Sequence, residues 1–257
     1  MKTSTLKQRI YNKLTSEYFW FYGNDTLARL LFKKHLKATA GTVLNIGCGP
    51  TGFSLQRKGM RTISADFSFE ACTIASAKSY SQQTQFVCCD AEALPFKKGC
   101  FDAVVALELF EHLEDDKSAL KQIIACLKEG GILLFSVPAF QFLWGSHDRW
   151  NEHFRRYRKK DINRLTSQTC LFPLYRTYFK SGFVVPLYLF RKFKALFGFL
   201  KHSHDFVQIP SPLNTMLKHA LTIEATIAQR FSLPLGVTLF SVLGKDGKSD
   251  QCDAEHE

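Results

Sequence analysis

The sequence predicts an α/β fold: a seven-stranded, mostly parallel sheet with helices on both faces and a helical insertion between the sixth and seventh strands. Three observations carry this expectation. Apolar runs of strand length alternate with segments of helical period from Thr42 to Pro138, the pattern of repeated β-α-β units. Three glycines, Gly47, Gly49 and Gly52, follow the first run directly. Two more strand-like runs, separated by a long apolar helical stretch, lie towards the end of the chain.

The first five strands read as TVLNIG, RTISAD, QFVCCD, FDAVVALE and ILLFSVP. Helices are expected to start near Thr51, Ser68 and Asp115, the last two with a side chain suited to capping. Residues 139–165 are polar, aromatic and basic, and read as a lid over the carboxyl edge of the sheet. LYRTYF is the sixth strand, residues 183–232 the helical insertion and GVTLFSVLG the seventh strand. Residues 1–40 form an N-terminal helical segment, expected either to cross the mouth of the site or to pack on the sheet edge. Residues 41–244 make the main domain, and 245–257 read as a flexible tail.

A chain of 257 residues, 46% hydrophobic and 22% charged, has the composition of a folded domain. Eight cysteines without a C-x-x-C pair suit reduced thiols and a cytoplasmic location, with Cys88 and Cys89 expected in the core. There is no uncharged apolar block of about eighteen residues and no basic-then-apolar leader, so neither secretion nor a membrane span is expected. The net charge of +11 favours acidic partners, whether nucleic acid, anionic lipid or a phosphorylated small molecule, without choosing among them.

In an open parallel sheet a ligand sits beyond the carboxyl ends of the strands, and a glycine-rich first turn lets it rest against backbone. Acidic residues close the next three strands: Asp66, Asp90 and Glu108. A dinucleotide needs an acid only at the second strand, and further negative charge would repel its pyrophosphate. A nucleoside carrying a sulfonium and an ammonium group would be attracted by all three.

The segments VLNIGCGPTG, SADFS, CDAEALPF, FDAVVALELFEHL and LKEGGILLFSVP resemble class I S-adenosylmethionine-dependent methyltransferases, nearest the bacterial methyltransferase type 11 group. The resemblance covers most of residues 17–170 and returns at LPLGVTLFSVLGK. It implies a Rossmann-like sheet, methyl transfer and S-adenosyl-L-methionine as cofactor. It implies that Gly47 and Gly49 bed the methionyl part and that Asp66 takes the ribose hydroxyls. Asp90 and the backbone of Ala91 would receive the adenine edge, and the Leu107 backbone the methionyl amine. Asn45, Cys48 and Phe67 complete the expected cofactor-binding set. The sequence departs from the family at Pro50 and at Asn45, where an acid is usual; an amide oxygen still accepts from an ammonium, without a full charge.

A hydroxyl acceptor needs a base to take its proton, and His112, His147 and His153 are the candidates. Alternatively Asp148 and His153 pin the lid by hydrogen bonds. No metal-ligand spacing is present, so no metal is expected. Arg149, Arg155, Arg156, Arg158, Lys159, Lys160 and Arg164 crowd the lid and either hold a phosphate or carboxylate or are simply solvated. In FVVPLYLFRKFKALFGFLKH, Phe and Leu fall on one helix side with Arg191, Lys192, Lys194 and Lys201 towards the other, suiting either a membrane interface or a core wall. The expected acceptor is a small molecule, hydrophobic or lipid-linked, reached by a cytoplasmic protein at the anionic inner membrane face. A nucleic-acid methyltransferase is a second reading, resting on charge alone; a non-catalytic cofactor-binding homologue is a third.

Overall fold

The structure, a computed structural model, describes residues 18–50, 59–78, 83–196 and 209–247. The helix expected near Thr51, Gly52 and the end of the tail lie outside the described residues. Seven strands form one sheet: β1 Gly41–Ile46, β2 Met60–Asp66, β3 Thr84–Cys88, β4 Phe101–Leu107, β5 Leu127–Pro138, β6 Leu171–Phe179 and β7 Thr238–Lys245. Their order is β3-β2-β1-β4-β5-β7-β6, and β7 alone runs antiparallel to the other six. The chain reverses its winding between β1 and β4, which opens the crevice where such sheets bind ligands.

Side-chain alternation divides the core by face. Leu44, Ile46, Val104, Ala106, Leu133 and Phe135 point one way, towards Leu120 and Ile123 of helix Asp116–Cys126. Val43, Ala103, Val105, Leu134, Phe240 and Val242 point the other. Both expected caps are present: the Ser68 hydroxyl accepts from Ala71 N–H, and Asp115 accepts from Lys117 and Ser118 N–H. The fifth strand starts earlier than its apolar run, because Leu127 pairs with Phe101 before a register shift that includes Gly130 at φ 72°. Pro173 is tolerated in β6 because that strand is at the sheet edge and its ladder shifts there.

In order, the helices are α1 Phe19–His35, α2 Phe69–Lys78, α3 Asp116–Cys126, α4 Ser146–Trp150, α5 Lys159–Thr166, α6 Val184–Leu196 and α7 Ser211–Ala228. The N-terminal helix lies neither at the sheet edge nor across the mouth. Leu27, Leu31 and Phe32 of α1 bury against Leu221, Ala225 and Ala228 of α7 on the second sheet face. A Cβ on Gly23 would meet Leu221 at 2.7 Å, so glycine permits this close crossing. Only the first turn of α1 reaches the carboxyl edge, through Trp20. The insertion is therefore two helices with different roles: α7 walls the core, whereas α6 leaves apolar side chains in solvent. Cys88 corrects its expectation: it is exposed at the end of β3, an edge strand with few neighbours.

Candidate active site

β1 leads into Gly47 at φ 69° and Gly49 at φ 55°, left-handed conformations that strain other residues. The Gly49 N–H donates to Asp66 Oδ2 at 2.8 Å, and the Ser68 N–H to Oδ1 at 2.9 Å. The carboxylate at the tip of β2 is thus clamped beside the glycine turn, with lone pairs left on both oxygens. A Cβ built on Gly49 would meet nothing within 4 Å, so open space lies over the turn. Asp90 Oδ1 accepts from Glu92 N–H at 2.9 Å, which fixes the second acidic tip next to buried Ala91. Phe67, 78% exposed, offers an unpacked ring beside Asp66. Leu107 ends β4, and Asn45 is buried in β1.

Because β3, β2, β1 and β4 are adjacent and parallel, Asp66, Asp90 and Glu108 share one edge of the sheet. A left-handed glycine turn under open space, clamped to a carboxylate with spare acceptor capacity, fits an adenosyl group with a cationic methionyl end. Cys48 packs: its N–H donates to Ala65 O at 3.0 Å, and burial pushes its thiol far above the usual range.

In the segment expected to form the lid, Asp148 gathers four partners. Its Oδ1 accepts from Arg156 Nε at 2.8 Å and bonds His153 Nδ1 at 3.1 Å, and its Oδ2 accepts from Gly145 N–H at 2.8 Å and Arg191 Nη1 at 3.2 Å. Burial alone would raise this carboxyl, but the His153 hydrogen bond and the charges of Arg156 and Arg191 outweigh it and hold the group well below the usual carboxylate range. Arg155 pairs with Asp116 at 3.0 Å, and Tyr157 Oη donates to the same carboxylate at 2.8 Å. Arg155 is therefore paired with Asp116 of α3 and Arg156 with Asp148, which removes both from the expected phosphate cluster.

The three histidines divide similarly. His147 Nε2 bonds Asn151 Nδ2 at 3.0 Å, and His153 Nδ1 bonds Asp148 Oδ1 at 3.1 Å. His112 is exposed, edge-on to His153 at 4.6 Å between ring centroids.

Two groups escaped the sequence reading. Glu111 is fully buried with neither carboxylate oxygen hydrogen-bonded, and burial together with the nearby Glu108 charge pushes it well above its ordinary range. Glu111, His112 and His153 place one ligand atom each within 4.8 Å of one another, a donor set a divalent ion accepts. No regular spacing announces this cluster, because His153 arrives from the lid. The other group is Lys180, fully buried at the end of β6, which neither a motif nor its neighbours in sequence mark out.

Residues 44–135 match the methyltransferase domain family. That stretch holds the glycine turn and the acidic strand tips, and the sheet order around it is that of Rossmann-like methyltransferase structures. The chain is 28% identical over 137 residues to norajmaline N-methyltransferase of Rauvolfia serpentina, covering 50% of this chain and 46% of that protein. It is 32% identical over 115 residues to ubiquinone biosynthesis O-methyltransferase of Albidiferax ferrireducens, covering 42% and 46% respectively. In each case the match spans about half the relative's length. Among solved structures, phosphoethanolamine N-methyltransferase 2 of Haemonchus contortus in complex with S-adenosyl-L-methionine aligns with a TM-score of 0.57 at 19% identity, over 85% of this chain and 52% of that one.

Proposed function

We propose that the chain transfers the methyl group of S-adenosylmethionine to a small, hydrophobic or lipid-linked acceptor at an anionic membrane surface. The observation that carries the methyl-transfer reading is the Gly49–Asp66 clamp, with two further acids on the same strand edge. Bound there, the cofactor supplies a methyl group on a sulfonium leaving group, so the chain's contribution is mainly placement of the acceptor. Gly47 and Gly49 would bed the methionyl end, Asp66 the ribose and Asp90 with Ala91 the adenine edge. The lid, fixed by Asp148, excludes water from the transfer. Protein incubated with methyl-tritiated cofactor and a host-cell extract is expected to put label into the organic phase. Label confined to nucleic acid would support the second reading instead.

The membrane part rests on α6. Val185, Leu189 and Phe193, spaced four apart, are 62%, 59% and 61% exposed and form one apolar stripe, with exposed Lys192 beside it. Among the described residues no helix is long and apolar enough to cross a membrane. The full chain is expected to sediment with phosphatidylserine-containing vesicles at low salt. Replacing Val185, Leu189 and Phe193 together by Glu is expected to leave the protein in the supernatant without lowering its melting temperature. Equal sedimentation of both proteins would contradict the proposal.

A further inference from the structure

We infer that Lys180 is the proton acceptor of the transfer, contacting the nucleophilic oxygen of a phenol- or enol-type acceptor through Nζ; the inference rests on the methyl-transfer reading above. Lys180 is fully buried, and its Nζ has no hydrogen-bond partner. Buried amines normally find one, as the guanidinium groups of Arg156 and Arg191 do on Asp148. An unpartnered one held beside a ligand crevice has a place for a ligand atom.

Its position supports that role. Lys180 is the first residue beyond β6, which runs parallel to β5 and β4, so it stands on the same carboxyl edge as Glu108. Lys180 at φ 63° and Glu108 at φ 51° both hold left-handed backbone, a conformation that non-glycine residues keep when their surroundings impose it, often at functional sites. Charged groups face Nζ from two elements, Glu108 at the tip of β4 and Glu224 on α7. From α1, the Trp20 ring centroid lies 3.9 Å away. The two carboxylates have hydrogen bonds of their own, Glu108 from the Ser136 hydroxyl at 3.0 Å and Glu224 from Ser181 N–H at 2.8 Å. Burial pushes the amine down to about 7 against the opposing pull of Glu108 and Glu224, so a neutral, proton-accepting form exists near neutral pH.

The chemistry then balances. The acceptor oxygen forms a bond to the methyl carbon as the carbon–sulfur bond breaks, its electron pair staying on sulfur, while the hydroxyl proton passes to Nζ. The new ammonium sits between two carboxylates and an aromatic face, which stabilise it. For the acceptor to reach Nζ, the Trp20 indole, which covers it with its ring centroid at 3.9 Å, must move aside. Of the three bases expected from the sequence, His147 and His153 each have one ring nitrogen bonded, to Asn151 and Asp148, and His112 is exposed beside His153.

The test uses 4-nitrocatechol, a phenol whose absorption shifts to longer wavelength on ionisation, added to the full chain saturated with S-adenosylhomocysteine. The expected result is a bound phenolate spectrum at a pH below the free probe's own ionisation midpoint. Lys180→Met is expected to bind the probe at least about tenfold more weakly and without the shift, while holding S-adenosylhomocysteine within about twofold. A spectral shift unchanged in Lys180→Met, a probe that binds only as neutral phenol, or no probe binding by the unsubstituted protein would overturn the inference. Failure of S-adenosylhomocysteine itself to bind would overturn the methyl-transfer reading on which it rests.

Discussion

Asp148→Asn is expected to lower the melting temperature by roughly 10 °C, from a cost of about 3–5 kcal/mol for breaking a buried ion pair and about 2–4 °C per kcal/mol in a protein of this size. Asp148 is inaccessible and is the shared counter-charge of buried Arg156 and Arg191. An amide of the same shape leaves both guanidiniums without it. The loss propagates because Arg191 belongs to α6 and Arg156 also donates to Ala139 O at 2.9 Å, so one carboxylate ties the lid to the insertion and to the end of β5. The carboxyl is depressed in the fold, so its stabilisation is fully present above the unfolded value near 4 and disappears as pH falls below that value towards the lower folded one. Melting curves of both proteins at pH 7 and in acid check this: the gap is expected to narrow in acid. A difference under about 1 kcal/mol at pH 7 would mean the network is no stronger than a surface pair.

Lys180→Met is expected to act in the opposite direction, raising stability while removing function. The amine lies near 7 in the fold and near 10.4 in an unfolded chain, a gap worth on the order of 4 kcal/mol of penalty when the group is charged. Between those values the unfolded chain binds more protons, so the unsubstituted protein gains stability as pH rises through that window. The advantage of the apolar variant is therefore largest below pH 7 and shrinks towards about pH 10. Methionine has similar length and needs no partner, so the site repacks. Thermal unfolding at a series of pH values provides the measurement. A variant less stable than the parent at pH 6 would show that Lys180 is a structural ion-pair partner.

What the sequence disclosed follows from how local each signal is. The strand runs, the caps at Ser68 and Asp115 and the acids at strand tips depend on a few consecutive residues, and each is where its pattern implies. The placement of α1 did not show, because an aromatic-rich amphipathic helix packs equally well on an edge or a face; Gly23 against Leu221, far apart in sequence, decides it. The lid arginines looked like an anion site because their partners, Asp116 and Asp148, carry no mark of burial in the sequence. Lys180 and Glu111 were invisible for a related reason: their character comes from the loss of solvent and of hydrogen-bond partners, which only the packed fold creates.

The strand-tip crevice is tested most directly by calorimetric titration of the full chain with S-adenosylhomocysteine and, separately, with a nicotinamide dinucleotide. The account expects one site for the former and none for the latter. Asp66→Ala is expected to weaken binding by at least about tenfold, since it removes the ribose acceptor and frees the Gly49 and Ser68 N–H groups. Dinucleotide binding in preference to the thioether, or affinity unchanged in Asp66→Ala, would contradict it.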